Sequence, residues 1–300
     1  MGSRMGMAGL APLLVAVPSL AAAKAPVELA PATPWNVHYA DDYCRLARIF
    51  GTDKQKVTLS LEQDSPGASF RMTLAGSMFG AQNAKGDASI TFGAMAEQKI
   101  MFFPGTVGAD KDGQPAWIFG DSVRLKPYSA AEVAAAKENG YSTTFDTPIT
   151  EADEAAVTSL LVGRPLRNPV RLKTGPMKAA FTAMRSCTDE LLSHWGIDVA
   201  RHRELSRWVM PVTEPGKWLK SSDYPRDMLA KSQPGIVRFR LSVGPDGLPT
   251  ACHIQRSTNS KGFDDAVCKG VMRRARFEPA LDKDGNPLAS YYVNSVRFQF

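Results

Sequence analysis

The sequence predicts an α+β protein in two parts: an N-terminal antiparallel-sheet-plus-helices domain, followed by a compact β-β-α-β unit. Three observations carry this expectation. Short alternations of apolar and polar residues, set off by Gly, Pro and Asp, recur between Trp35 and Phe119. The period then lengthens to that of a helix, most clearly over Gly175–Trp195. The last stretch reads strand, turn, strand, helix, strand between Gly235 and Phe298. A chain of 300 residues fits two domains of ordinary size. With 44% apolar and 22% charged residues it is neither disordered, nor collagen-like, nor a polytopic membrane protein.

In the first part, strands are expected at Trp35–Tyr39, Cys44–Phe50 and Val57–Gln63, where Val57, Leu59 and Leu61 share a face. Phe70, Met72 and Leu74 repeat that pattern, and further strands are expected at Ser89–Phe92, Ile100–Phe103 and Trp117–Phe119. Ala130–Lys137 and Glu151–Leu161 read as helices, the second capped by Asp146 or by Thr150 with Asp153. In Gly175–Trp195, Met177, Ala180, Phe181, Met184, Cys187, Leu191 and Leu192 recur at helical steps, and Gly196 stops the helix.

The N-terminus reads as a targeting segment. Arg4 precedes the apolar run Ala8–Leu20, and Ala21, Ala22 and Ala23 supply the small residues of a cleavage site. Residues 1–23 are therefore expected to be a signal peptide. The alternative is an uncleaved anchor, but Ala8–Ala23 contains Pro12 and Pro18 and falls short of the about 20 residues a span needs. Secretion places the mature chain in an oxidising compartment, with no stable membrane span after signal cleavage. Its charge is uneven. Residues 24–163 carry 12 basic and 17 acidic side chains, residues 164–220 carry 11 and 5, and residues 221–300 carry 12 and 8. An acidic first part faces a basic remainder, which implies distinct surfaces. The overall excess of 36 Lys and Arg over 30 Asp and Glu is too mild to mark a nucleic-acid partner. The expected division is 24–200 for the α+β domain, 201–220 for a linker and 221–300 for the C-terminal unit.

In that unit Val237, Phe239, Leu241 and Val243 share one strand face, and Ile236, Arg238, Arg240 and Ser242 share the other. Pro245-Asp246-Gly247 is a turn, Pro249–Arg256 the return strand, Phe263–Ala275 a helix and Leu288–Phe298 the final strand. The ordered set Tyr224-Pro225, Gly235-x-Val237, Val243-x-x-Asp246-Gly247, Ser257, Phe263-Asp264-x-Ala266, Arg273-Arg274-Ala275-Arg276-Phe277-Glu278-Pro279-Ala280, Gly285 and Val296-x-Phe298 resembles the C-terminal domain of TonB-family proteins. The resemblance covers about a quarter of the chain. It implies a β-β-α-β fold that engages a short segment of an outer-membrane receptor, or another envelope protein, by strand addition at an open sheet edge. Carried onto this sequence, the partner-binding residues would be Tyr224 and Pro225 with Tyr291, Val293, Ser295 and Arg297 of the final strand. The chain departs from the energy-transducing members. Its Ala8–Ala23 run has no His, no Pro-rich spacer follows, and Ser221-Ser222 stands before Tyr224 where those members carry Gln-Pro. Arg273, Arg274 and Arg276 suit the negative end of a helix. Alternatively they contact a polymer such as peptidoglycan.

Cys44, Cys187, Cys252 and Cys268 permit three pairings, and sequence does not choose among them. Cys44–Cys187 with Cys252–Cys268 is preferred because each bridge stays within one domain; the latter would contribute about 3 kcal/mol. No Cys-x-x-Cys, HExxH, Gly-x-Ser-x-Gly, Walker A or dinucleotide fingerprint occurs. His253 and the adjacent Cys252 point to opposite sides of a strand and cannot share a metal. No catalytic residue, metal or cofactor is assigned. The expected function is non-enzymatic: a periplasmic, TonB-like protein of the cell envelope that binds partner proteins in outer-membrane transport, or else a structural module on the cell wall.

Overall fold

The computed structural model describes residue 2 and residues 24–80, 85–108, 113–120, 123–138, 149–258 and 261–299. The expected signal segment, apart from Gly2, and the alternative cap Asp146 lie outside them. The first part contains β1 (Val27–Leu29), β2 (Asn36–Tyr39), β3 (Cys44–Phe50), β4 (Val57–Gln63), β5 (Ser69–Ala75), β6 (Gly86–Phe92), β7 (Gln98–Val107), β8 (Gln114–Phe119) and β9 (Val123–Arg124). It continues through α1 (Ala130–Glu138), α2 (Glu151–Ala156), β10 (Leu160–Val162), β11 (Val170–Leu172), α3 (Lys178–His194) and α4 (Val199–Arg203).

The strands form one sheet in the order β1-β11-β10-β6-β7-β8-β5-β4-β3-β2, with β9 beside β5. The two end strands are consecutive in the chain. Between them the Ala32 N–H donates to the Ile49 carbonyl and the Gly51 N–H to the Ala30 carbonyl, both at 2.8 Å. The connection between β1 and β2 thus pairs with the end of β3, and the sheet curls back on itself there. The alternation seen in the sequence is the cause. Val57, Leu59, Leu61, Phe70, Met72 and Leu74 all point into one core and are fully buried. The helical stripe Ala180, Phe181, Met184, Cys187 and Leu191 of α3 packs into the same core, where the Phe181 and Phe70 rings lie 5.8 Å apart. A Cys44–Cys187 disulfide fastens α3 to β3. The Ile197 N–H reaches the Leu192 carbonyl at 3.0 Å past Gly196, whose φ of +75° ends the helix.

The expected helix Glu151–Leu161 is corrected. Thr150 and Asp153 do form a capping box, but the helix ends at Ala156. Leu160–Val162 instead pairs on both sides, with β6 and β11. Val157, Leu160 and Val162 are all buried, and a single short helical turn cannot compete with that burial.

The remainder comprises β12 (Met210–Pro211), α5 (Arg226–Ala230), β13 (Gly235–Val243), β14 (Pro249–Ser257), α6 (Lys261–Arg274), β15 (Phe277–Glu278), β16 (Ala280–Leu281), β17 (Pro287–Leu288) and β18 (Ser290–Phe298). The main sheet is antiparallel in the order β14-β13-β18. Val237, Phe239, Leu241 and Val243 of β13 face Phe263, Val267 and Val271 of α6 in a second core. Gly247 closes the hairpin at φ +75°, where a Cβ would sit 2.0 Å from the Phe277 carbonyl oxygen, so glycine is required there. The expected single strand Leu288–Phe298 is split: β17 pairs with β16, and β18 begins at Ser290. The stretch read as a linker lies along this unit. The Val212 N–H donates to the Arg276 carbonyl at 2.9 Å, β12 pairs with β15, and Trp218 is buried in the second core.

The other face of the C-terminal sheet docks on the first part. Arg238 forms a two-pronged ion pair with Asp64, His253 Nε2 lies 2.7 Å from Asp42, and Arg256 lies 3.1 Å from Glu62. Burial alone would raise the Glu62 carboxyl, but the hydrogen bonds and charges of Arg256 and Arg45 outweigh it and hold it below its ordinary value. Arg240, nearly buried, stacks 4.2 Å over Trp195 at the end of α3. The charge asymmetry of the sequence is thus an internal complementarity.

Candidate functional site

Among the described residues β18 pairs with β13 alone, from Ser290↔Val243 to Phe298↔Gly235, leaving its other side as a sheet edge. The Ser295 N–H donates to its neighbour's side chain, Asn294 Oδ1, at 2.7 Å rather than to β13. It therefore points out along the open edge, and by antiparallel alternation the N–H groups of Tyr291, Val293 and Arg297 share that side.

A groove of about 680 Å³ runs beside the last part of β18. One wall is Asn294, Ser295, Val296, Arg297 and Phe298; the other is Trp218, Leu219, Lys220, Ser221 and Tyr224. The second wall is held firmly. Trp218 packs edge-on to Phe277 and Tyr292, with ring centroids 5.4 and 5.5 Å away, and its Nε1 donates to Thr213 Oγ1 at 2.9 Å. Arg274 donates to the Trp218 carbonyl and, at 2.8 Å, to Asp223 Oδ1. That bond, followed by the opposing effect of burial and then the Lys220 N–H, leaves the Asp223 carboxyl below its usual range. Tyr224 stacks edge-on to Phe263 and Phe298 and donates its hydroxyl to the Gln233 carbonyl at 2.6 Å. The result is an open main-chain edge, an apolar floor and two cations, Lys220 and Arg297, at the rim.

The sequence-derived residues divide here. Tyr224, Ser295 and Arg297 line the groove. Pro225 does not; it caps α5 behind Tyr224. The Tyr291 side chain packs in the interior. It is buried between Trp195, at 5.2 Å, and His202, at 5.4 Å, and burial raises its hydroxyl pKa despite a hydrogen bond to Ser65. The reason is alternation: Tyr291 lies on the face of β18 that docks on the first part. Val293 shares that face and is half-buried. The arginines divide too. Arg274 is committed to Trp218 and Asp223, and Arg276 donates to the Arg273 and Ala275 carbonyls at 3.2 and 2.6 Å, closing the C-terminus of α6. Arg273 remains two-thirds exposed and 3.5 Å from Asp223. Cys252 and Cys268 are bridged, tying β14 to α6, while His253 turns to the opposite face.

Sequence reasoning missed Trp218, Leu219, Asn294 and Val296. Trp218 and Leu219 fell inside the presumed linker, although two adjacent large apolar residues there were a signal of burial. Asn294 is a poor strand former within an apolar strand, which is itself a mark of a special position. A smaller hollow of about 340 Å³ lies on the first part beside Gln98, Arg124 and Tyr128. Within it Gln98 Nε2 donates to the Arg124 carbonyl at 2.7 Å, and the Arg124 guanidinium lies 4.0 Å over Tyr128. Among the described residues no cluster of three His, Cys, Asp or Glu side chains could hold a metal, and no helix is long and apolar enough to cross a membrane.

Residues 220–300 match the family model described as the Gram-negative bacterial TonB protein C-terminal. No curated protein matches the chain. The segment that builds β18, α6 and most of the groove is thus a TonB-family C-terminal domain.

Proposed function

We propose that this protein works in the periplasm as a TonB-like binding protein. Its C-terminal domain takes up an extended segment of an outer-membrane receptor, or of another envelope protein, as an added strand on β18. The observation that carries this reading is the course of β18, at the edge of its sheet and beside an open groove, with the Ser295 N–H directed away from β13. An added strand gains main-chain hydrogen bonds along the edge and places alternate side chains against Trp218, Leu219 and Val296. The first part serves as a rigid mount, because the sheet face it covers is opposite α6. The output is binding, with no chemical step. The cell-wall alternative draws no support from Arg274 and Arg276, which bond within the chain.

The test is a fluorescence-anisotropy titration of the oxidised mature chain. The probe is a labelled peptide from the periplasm-facing N-terminal segment of a TonB-dependent receptor. Saturable micromolar binding is expected, and a central proline in the peptide should abolish it by removing a ladder N–H. Absence of binding at high micromolar concentration contradicts the proposal.

A further inference from the structure

Asn294 occupies the part of β18 that lines the groove, and both ends of its carboxamide are engaged. Oδ1 accepts the Ser295 N–H at 2.7 Å, and Nδ2 donates to the Tyr292 hydroxyl at 2.8 Å. The Tyr292 ring is wedged between Trp218 and Phe277, at 5.5 and 5.1 Å, so its hydroxyl is a fixed post. Burial, only partly offset by the Asn294 hydrogen bond, pushes that hydroxyl up to about 12, so it stays protonated in the physiological range. The main-chain donor that an incoming strand would meet beside the groove is therefore already satisfied from within.

A sheet edge with free N–H groups pairs with other edges, including its own copies. An asparagine is a poor choice for strand propensity here, between Val293 and Val296. It is a good choice for blocking one main-chain donor without a bulge or a proline. We infer that Asn294 is an edge guard and the residue that sets partner specificity on β18. It closes the Ser295 N–H to casual strand pairing. A productive partner must supply a backbone carbonyl to Ser295 in its place, together with a side chain that re-engages the released carboxamide. A partner with a polar side chain opposite Asn294 is thereby favoured over a wholly apolar one. The selection of partners rests on the strand-addition reading above, whereas the guard is testable with no partner present.

The experiment compares the oxidised mature chain with Asn294→Ala and Tyr292→Phe. The phenylalanine keeps the ring packing and removes the post. Ser295 amide exchange, followed by NMR, is expected to quicken about five- to tenfold in Asn294→Ala, the effect of losing one hydrogen bond, and less in Tyr292→Phe. Sedimentation velocity should show self-association of Asn294→Ala at concentrations where the parent is monomeric. A purely apolar peptide of the same length as the receptor peptide should bind Asn294→Ala about five- to tenfold more tightly than the parent. Unchanged Ser295 exchange in Asn294→Ala overturns the guard. Quickened exchange with equal apolar-peptide affinity in the two proteins overturns the specificity role. Quickened exchange and self-association with no peptide bound to either protein upholds the guard and contradicts the strand-addition reading.

Discussion

The two edge strands of the C-terminal sheet, β14 and β18, border the same central strand and meet opposite fates. β14 is held from both faces. Cys252 is bridged to α6, while His253, Gln255 and Arg256 bond to Asp42, Asp64 and Glu62 of the first part. β18 meets the first part over its first residues, where Tyr291 enters the interface beside Trp195 and His202, and its end packs into the second core through Phe298. From Asn294 onward it borders the groove. One edge is immobilised and the other is presented. The lesson is that side chains on its two faces can fasten one outer strand of a three-stranded sheet while the other borders a groove.

The strongest way to break this asymmetry is to remove the floor common to both edges. Trp218→Ala should cost about 3–5 kcal/mol, the range for deleting a large buried aromatic, as read by urea denaturation of the C-terminal unit. Next in size is the fastening of β14. Replacing Cys252 and Cys268 together by alanine should lower stability by about 3 kcal/mol on the chain-entropy estimate. At 25 °C it should leave peptide affinity at β18 within twofold, and a larger loss would show that the edges are not independent.

His202 gives a pH test of the interface at the start of β18. It is 3% exposed, its Nε2 lies 3.0 Å from Ser290 Oγ, and burial pushes its pKa down to about 4 against a small opposing effect of Asp189. The folded value lies below the unfolded one, so the unfolded chain takes up the proton first. The contribution is complete above about pH 6.5 and is lost as pH falls towards 4, on the order of 2 kcal/mol across that window. Thermal melts of His202→Gln should lack that portion of the slope.

Smaller still is the coupling of Arg238 to Asp64. A double-mutant cycle with alanine should give about 1 kcal/mol, declining as salt rises because the pair is only partly buried. At the bottom of the scale, Arg273→Ala should change stability by less than about 0.5 kcal/mol, since its side chain is mostly solvated.

Much of this was readable from sequence because it follows from periodicity. The alternation in Val57–Gln63 and Gly235–Val243 and the stripe on α3 state which faces are buried, and the structure buries those faces. The preferred disulfides followed from domain membership. The failures have a common physical source, the competition between local preference and tertiary pairing. Ala- and Glu-rich residues after Thr150 favour helix, yet the strand at Leu160–Val162 wins because it is paired on both sides. Tyr291 alternates with Tyr292 in sequence, but nothing local says that its face will be covered by Trp195, a residue nearly a hundred positions earlier. The groove was invisible for the same reason: one wall comes from the presumed linker and the other from the last strand. The charge asymmetry was the one sequence signal of docking, and it acquires its meaning only when Asp42, Glu62 and Asp64 meet His253, Arg256 and Arg238.

In the proposed mode of binding β18, and not β14, receives the partner strand. Residue-resolved hydrogen exchange of the oxidised mature chain, with and without saturating receptor peptide, tests it most directly. Slowed exchange is expected at the Val293, Ser295 and Arg297 amides, with β14 and the first part unchanged. Protection appearing along β14 or on the first part, with those three amides unaltered, would contradict it.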